Sequence, residues 1–433
     1  MKSFRLHIVS TKNGFTLIEV LVTMVLFLTV LIIASNAFNL IVSKASSTSK
    51  MEESNIEGVI GLEVMRHDLA QMGFGLPWGF SKKNSVTPAD LVDSSISYSE
   101  ATHALGAELN DSSATNSNPD SSSPYSKVPR ALVGFAGFGN YTTDYLAIKG
   151  TAVGRTKSAQ RWTYIPFHNY SASPWESRPV TMSSSSPQSG DRVIFINSNV
   201  NDIANKDHRL IVDPANTGEF SVNYSSIVSW YLPLDDTSTY MVYGVDDSTL
   251  RMPFNRTDFF VGTSTGVIPP FCAPRTGVLY KGTINQSDGA YNYLPLLDCV
   301  ADMQVVLGWD VSDDGRAGEV NAYSTLPKKS DGSLSATPAD ASVAIKEWFK
   351  SAKGLREHLK VIKIYILAQE GKYDRAYTAP STSIRVGPSL SDIQENNGLS
   401  PVKTYVLTEP QTHYRWKLYR IVVRPKNLYS NQR

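Results

Sequence analysis

The chain has 433 residues, 41% hydrophobic and 10% aromatic, a composition that suits a folded protein with one large core or two subdomains. Its formal net charge of +1 becomes −2 once Lys2, Arg5 and Lys12 are set apart as an amino-terminal leader, which excludes a global charge signal for nucleic acid. Only two cysteines occur, Cys272 and Cys299, and no histidine lies at zinc-like spacing from either, so a metal site built on them is disfavoured.

The leader ends at Gly14. An almost uninterrupted apolar run follows from Phe15 to about Ala37, with one carboxylate inside it, Glu19. At 1.5 Å per helical residue this run is long enough to cross a hydrocarbon core of about 30 Å. A secretory signal peptide carries its small-residue cleavage site after the apolar region, whereas Gly14 precedes it, so the helix is expected to stay with the mature chain. The leader's positive charges argue for a cytoplasmic amino terminus and an exported remainder. A plain signal anchor is the bland alternative, but ordinary anchors avoid a costly carboxylate five residues into the helix.

Gly14-Phe15-Thr16-Leu17-Ile18-Glu19 therefore resembles the amino terminus of a type IV prepilin. The resemblance implies cleavage between Gly14 and Phe15 by a membrane peptidase, N-methylation of Phe15, and an assembly role for Glu19. In related filaments that carboxylate pairs with the methylated amino group of a neighbouring subunit, which offsets the desolvation of both charges. An exported domain is oxidised, so a Cys272–Cys299 disulfide is the default expectation, with two separate buried thiols as the alternative.

Residues 43–50 are polar and mark the exit from lipid. Leu62, Met65, Leu69 and Met72 then form one stripe at helical spacing, which is expected to pack on a sheet. Gly73, Gly75 and Pro77 end the helix. The run Leu62 to Gly75 resembles a segment of PilW-type minor pilins, with Met72 where that family has alanine. Residues 81–129 are rich in Ser, Asn, Asp and Pro, and read as a long loop or disordered insertion.

Strand signals dominate from Leu132 onward. They include residues 143–149, 191–197, 227–232, 241–245, 258–261, 277–282, 303–309, 361–368 and 417–423, with a short helix around 342–351. One long helix followed by this series predicts an α+β fold: a transmembrane and amphipathic helix packed on an antiparallel, strand-rich domain. The expected divisions are a leader at 1–14, a membrane helix at 15–37, its continuation at 38–75, the insertion at 81–129 and a globular domain at 130–433. Asp144 to Ile148, Gly190 to Phe195, Leu297 to Asp310 and Tyr414 to Asn427 are similar to PilW-type segments in the same order. Asn36 departs from the helix-kinking proline common in major pilins.

Asp310, Ser312, Asp314, the Arg316 carbonyl and Glu319 offer oxygens at roughly calcium-loop spacing around Gly315, although Asn321 stands where an EF-hand has glutamate. Calcium is thus the one cofactor candidate, against an acidic hairpin turn. Gly262-Thr263-Ser264-Thr265-Gly266 matches G-x-S-x-G, but Pro269 and Pro270 forbid the helix that a nucleophile elbow needs, so no enzyme is expected. The tail from Arg415 to Arg433 holds six basic residues, no acid and several aromatics. A strand with a charged solvated side explains it better than nucleic acid does.

Taken with the resemblance, these features imply a minor pilin at the inner membrane that later enters a pilus. Its expected partners are other minor and major pilins, prepilin peptidase and the pilus assembly platform. A minor pseudopilin of a type II secretion system, and a pilus-borne adhesin or DNA-binding module, remain the alternatives.

Overall fold

The computed structural model describes residues 14–82, 96–112, 127–138, 142–154, 156–167, 185–199, 208–213, 219–226, 233, 238–262, 268–311, 320–330, 333–334, 341–388 and 403–429. They fall into two compact units, Met1–Glu53 and Ser54–Arg433. Helix α1, Leu17–Gln71, runs from the first into the second.

In the first unit no described residue of α1 is fully buried. Its apolar residues from Leu17 to Val42 are all exposed, and this is the one helix among the described residues long and apolar enough to cross a membrane. A helix that is apolar all round needs lipid or protein on every side.

The second unit follows in chain order as β1 (Gly79–Lys82), α2 (Ala104–Ala107), β2 (Leu132–Phe138), β3 (Thr143–Gly150), β4 (Trp162–Pro166), β5 (Arg192–Asn199), β6 (His208–Val212), β7 (Val222–Asn223), β8 (Ser238–Asp246), β9 (Asn255–Gly262), β10 (Gly277–Ile284) and β11 (Tyr291–Trp309). It continues with β12 (Ala322–Thr325), β13 (Lys329–Ser330), β14 (Ser333–Leu334), α3 (Val343–Lys350), α4 (Ala352–His358), β15 (Leu359–Glu370), β16 (Ser383–Val386), β17 (Lys403–Val406), β18 (Arg415–Val423) and α5 (Lys426–Tyr429).

An eight-stranded antiparallel sheet has the order β18-β15-β11-β10-β9-β3-β2, with β12 also paired to β11. A second sheet has the order β1-β6-β5-β8-β4 with β7 on β5, and only β1 and β6 pair in parallel. The α+β class expected from the pattern of one long helix and many strands is the class observed. The hairpin β16–β17 forms a small sheet of its own.

Strand alternation divides the large sheet into two buried faces. Phe259, Val261, Leu279, Met303, Val305, Ile364 and Ile421 share one core with Leu62, Met65, Leu69 and Met72 of α1. Asp68 of α1 also reaches Lys281 of β10 at 2.5 Å in a buried ion pair. The helix ends where Gly73 takes a left-handed φ of 82° and its N–H donates to Lys149 O at 2.9 Å. Asn427 Nδ2 donates to the last carbonyls, Ala70 O and Met72 O.

The other face is covered in part by the segment expected to be a loop or insertion. Within the span 81–129, read above as a long loop or disordered insertion, residues 96–112 form a mostly irregular but packed segment, in which Ile96, Glu100, Leu109 and Asp111 are buried. Leu109 joins Val133, Phe135, Tyr145, Phe260 and Tyr280 on that face. Six charges are buried with it. Lys149 meets Glu100 and Asp111, Arg130 meets Asp111, and Arg256 meets Glu100 and Asp258, with Tyr145 and Tyr291 both donating to Asp258 Oδ2 at 2.7 Å. The polar residues that suggested disorder are thus partly the partners of sheet cations. Residues 83–95 and 113–126 of that span lie outside the described residues, as does the strand expected at 227–232.

Candidate processing and assembly site

Gly14, Phe15 and Thr16 precede the first helical residue, Leu17, and all are exposed. Thr16 is the N-cap. Its N–H and its hydroxyl both donate to Glu19 Oε2 at 3.0 Å, and the Glu19 N–H lies 3.4 Å from Thr16 Oγ1. This is a capping box, in which residues three apart satisfy each other's orphan donors at a helix start. The spacing Thr16-Leu17-Ile18-Glu19 carried that signal in the sequence, and the reading above passed over it.

The arrangement gives Glu19 a local role besides any in assembly. Among the described residues its carboxylate has only Thr16 as a partner, and no cation faces it. Val20, Leu21 and the apolar residues beyond are exposed, so the carboxylate sits at the head of an uncovered hydrophobic helix.

Residues 9–35 match the model of the prokaryotic N-terminal methylation motif. The chain is type IV pilin-like. That statement covers the pilin and pseudopilin class, and the matched residues include Gly14, Phe15 and Glu19 of this pilin-like terminus. No curated protein and no solved structure matches the chain.

The remaining candidates separate in space. Cys272 and Cys299 are joined by a disulfide that ties the segment before β10 to β11, with Cα atoms 5.1 Å apart. Asp310 is buried at the end of β11, where its N–H donates to His358 O at 2.9 Å. Ser312, Asp314, Arg316 and Glu319 lie outside the described residues, and so does Ser264. Among the described residues no group of three His, Cys, Asp or Glu side chains is placed to hold a metal.

Three of the six basic residues of the tail have partners within the fold. Arg415 pairs with Asp374 at 3.0 Å, Lys417 Nζ donates to Asn55, and Arg420 lies over the Tyr365 ring. Arg424 and Lys426 are exposed.

Proposed function

We propose that the chain is a minor pilin of a type IV pilus, cut between Gly14 and Phe15, methylated on Phe15, and used at initiation or at the tip of the filament. The observation that carries this reading is the exposed apolar half of α1, headed by Glu19 and continuous in sequence with a large sheet domain. Before assembly that half belongs in the inner membrane with the leader in the cytoplasm, because uncovered apolar surface of this extent is stable only in lipid or against other helices. In a filament, neighbouring pilin helices replace the lipid. A domain much larger than the helix it rides on fits a position where one side stays free, which is the reason for favouring the tip and leaves adhesion as a further use.

Deletion of the gene, with filaments and secretion scored separately, tests the reading. Loss of filaments with secretion intact supports it. Loss of secretion with filaments intact would make the chain a minor pseudopilin, and no change in either would remove the assembly role. Replacing Gly14 by valine is expected to leave the leader attached, seen as a heavier amino-terminal peptide.

A further inference from the structure

Lys149, Asp111 and Glu100 form a sealed triad inside the buried charge cluster. Lys149 Nζ lies 2.7 Å from Asp111 Oδ2 and 2.7 Å from Glu100 Oε2, and all three side chains are fully buried. Phe254 presents its ring to the ammonium at 5.5 Å. An amine, a carboxyl group and a second carboxyl in mutual contact, away from water, are the reactants and the proton shuttle of an amide condensation. Holding them together replaces a bimolecular encounter.

Two features equip the triad for condensation. First, the Asp111 carboxyl group is held from several sides. Arg130 Nε donates to Oδ1 at 2.9 Å, Arg130 Nη2 stands 2.9 Å from the same oxygen, and the Arg130 N–H donates to Oδ2 at 2.8 Å. Donors so placed polarise the group and stabilise charge developing on its oxygens. Second, Glu100 is oriented: its Oε1 accepts from the N–H groups of Asp111 at 2.6 Å and Ser112 at 3.2 Å, while its Oε2 faces Nζ and also accepts from Arg256 Nη1 at 3.1 Å.

We propose that Lys149 and Asp111 become joined by an autocatalytic amide bond, with Glu100 as the proton shuttle. Glu100 takes a proton from the ammonium, and the freed Nζ lone pair attacks Cγ of Asp111, forming the C–N bond. Glu100 returns that proton to a carboxyl oxygen. A second nitrogen proton follows the same route, and the C–O bond breaks with release of water. The ammonium and the carboxylate are consumed, Glu100 ends as it began, and no oxidant or cofactor is required. The bond would fasten the 96–112 segment covalently to β3.

Mass spectrometry of the full chain, purified in detergent and with its disulfide reduced, tests this. After allowance for changes read from the amino-terminal peptide, the mass is expected to fall one water below that of the sequence, and digestion is expected to give a branched peptide linking Asp111 to Lys149. Lys149→Arg and Glu100→Gln are expected at full mass. A wild-type chain at full mass overturns the proposal whatever the variants do. So does a deficit found in a linear peptide, the signature of a cyclic imide at Asp111-Ser112, or one that persists in either variant.

Discussion

Gly61 of α1 lies flat against the main-chain carbonyl of Leu296 on β11, so closely that a β-carbon at position 61 would stand 2.0 Å from that oxygen. Backbone cannot move aside as the tip of a side chain can. Gly61→Ala is expected to push the helix off the sheet and destabilise the second unit by about 1–3 kcal/mol, the usual range for overpacking. Urea unfolding followed by tryptophan fluorescence measures it, and an unchanged midpoint would show that the approach is not tight.

Asp68 and Lys281 pin the same helix to β10. Burial pushes the Asp68 carboxyl group up and Lys281 pulls it down, with burial the larger effect. Lys281→Met alone strands a buried acid and is expected to cost about 3–5 kcal/mol. The double variant Asp68→Leu with Lys281→Met is expected to recover most of that loss, since a well-packed apolar pair replaces a buried ion pair at little cost. A double-mutant cycle on the unfolding midpoint checks the coupling.

The amino-terminal capping box gives separable outcomes. Thr16→Ala is expected to weaken the start of α1 by about 1 kcal/mol, the usual worth of an N-cap, and to be seen as local fraying in hydrogen exchange. Glu19→Ala loses the same reciprocal bond and also the only carboxylate in the apolar half of the helix. If Glu19 serves assembly, its replacement abolishes incorporation into filaments while Thr16→Ala only reduces it. Equal incorporation by both variants would reduce Glu19 to a cap.

Asp144 sets one pH dependence. Burial raises its carboxyl group to about 7, the Val305 N–H and Lys403 oppose that rise, and Asp302 adds to it. The folded value exceeds the unfolded value of about 3.9, so the protonated form favours the fold and its contribution is lost as pH rises from about 4 through about 7. His208 acts oppositely. Burial, followed by the charge of Arg356, lowers it to about 4, so its contribution is present above the unfolded value of about 6.5 and is lost as pH falls toward 4. Melting temperatures between pH 4 and 8 are expected to fall less on the alkaline side in Asp144→Asn and less on the acid side in His208→Gln.

Reduction of Cys272–Cys299 opens a link across a sequence separation of 27. The chain-entropy model gives a loss of about 3–4 kcal/mol. The paired replacement of both cysteines by serine should reproduce it, without added reductant, as a lower unfolding midpoint.

Much of the helix was legible because its signals are local. Leu62, Met65, Leu69 and Met72 recur at helical spacing and are all buried, and the glycines after them do end α1. Strands β15 and β18 and the last seven residues of β11 were legible from β-branched and apolar runs, whereas the first part of β11, from Tyr291, was not. The division into two sheets was not, because pairing partners such as β3 and β9 lie more than a hundred residues apart and strand composition does not name a partner. The packed state of residues 96–112 was hidden for a related reason. Glu100 and Asp111 belong to a polar stretch that reads as loop until Lys149 and Arg256, carried by distant strands, come to meet them. The methylation motif at the amino terminus was legible because its residues are consecutive, while the Thr16–Glu19 cap, equally local, was not read.

The passage of α1 from the exposed apolar segment into the sheet core also fixes how the domain bears load. A tug on the amino-terminal half travels along one hydrogen-bonded backbone to Gly61, Leu62, Met65, Asp68 and Leu69, which grip the strands together. Drawn along its own axis, such a helix must slide past many side chains at once, whereas a segment peeled from one end releases them singly. The second unit is therefore built to resist tension as a mortised joint does, in shear, with the Asn427 clasp at the far end of the tenon.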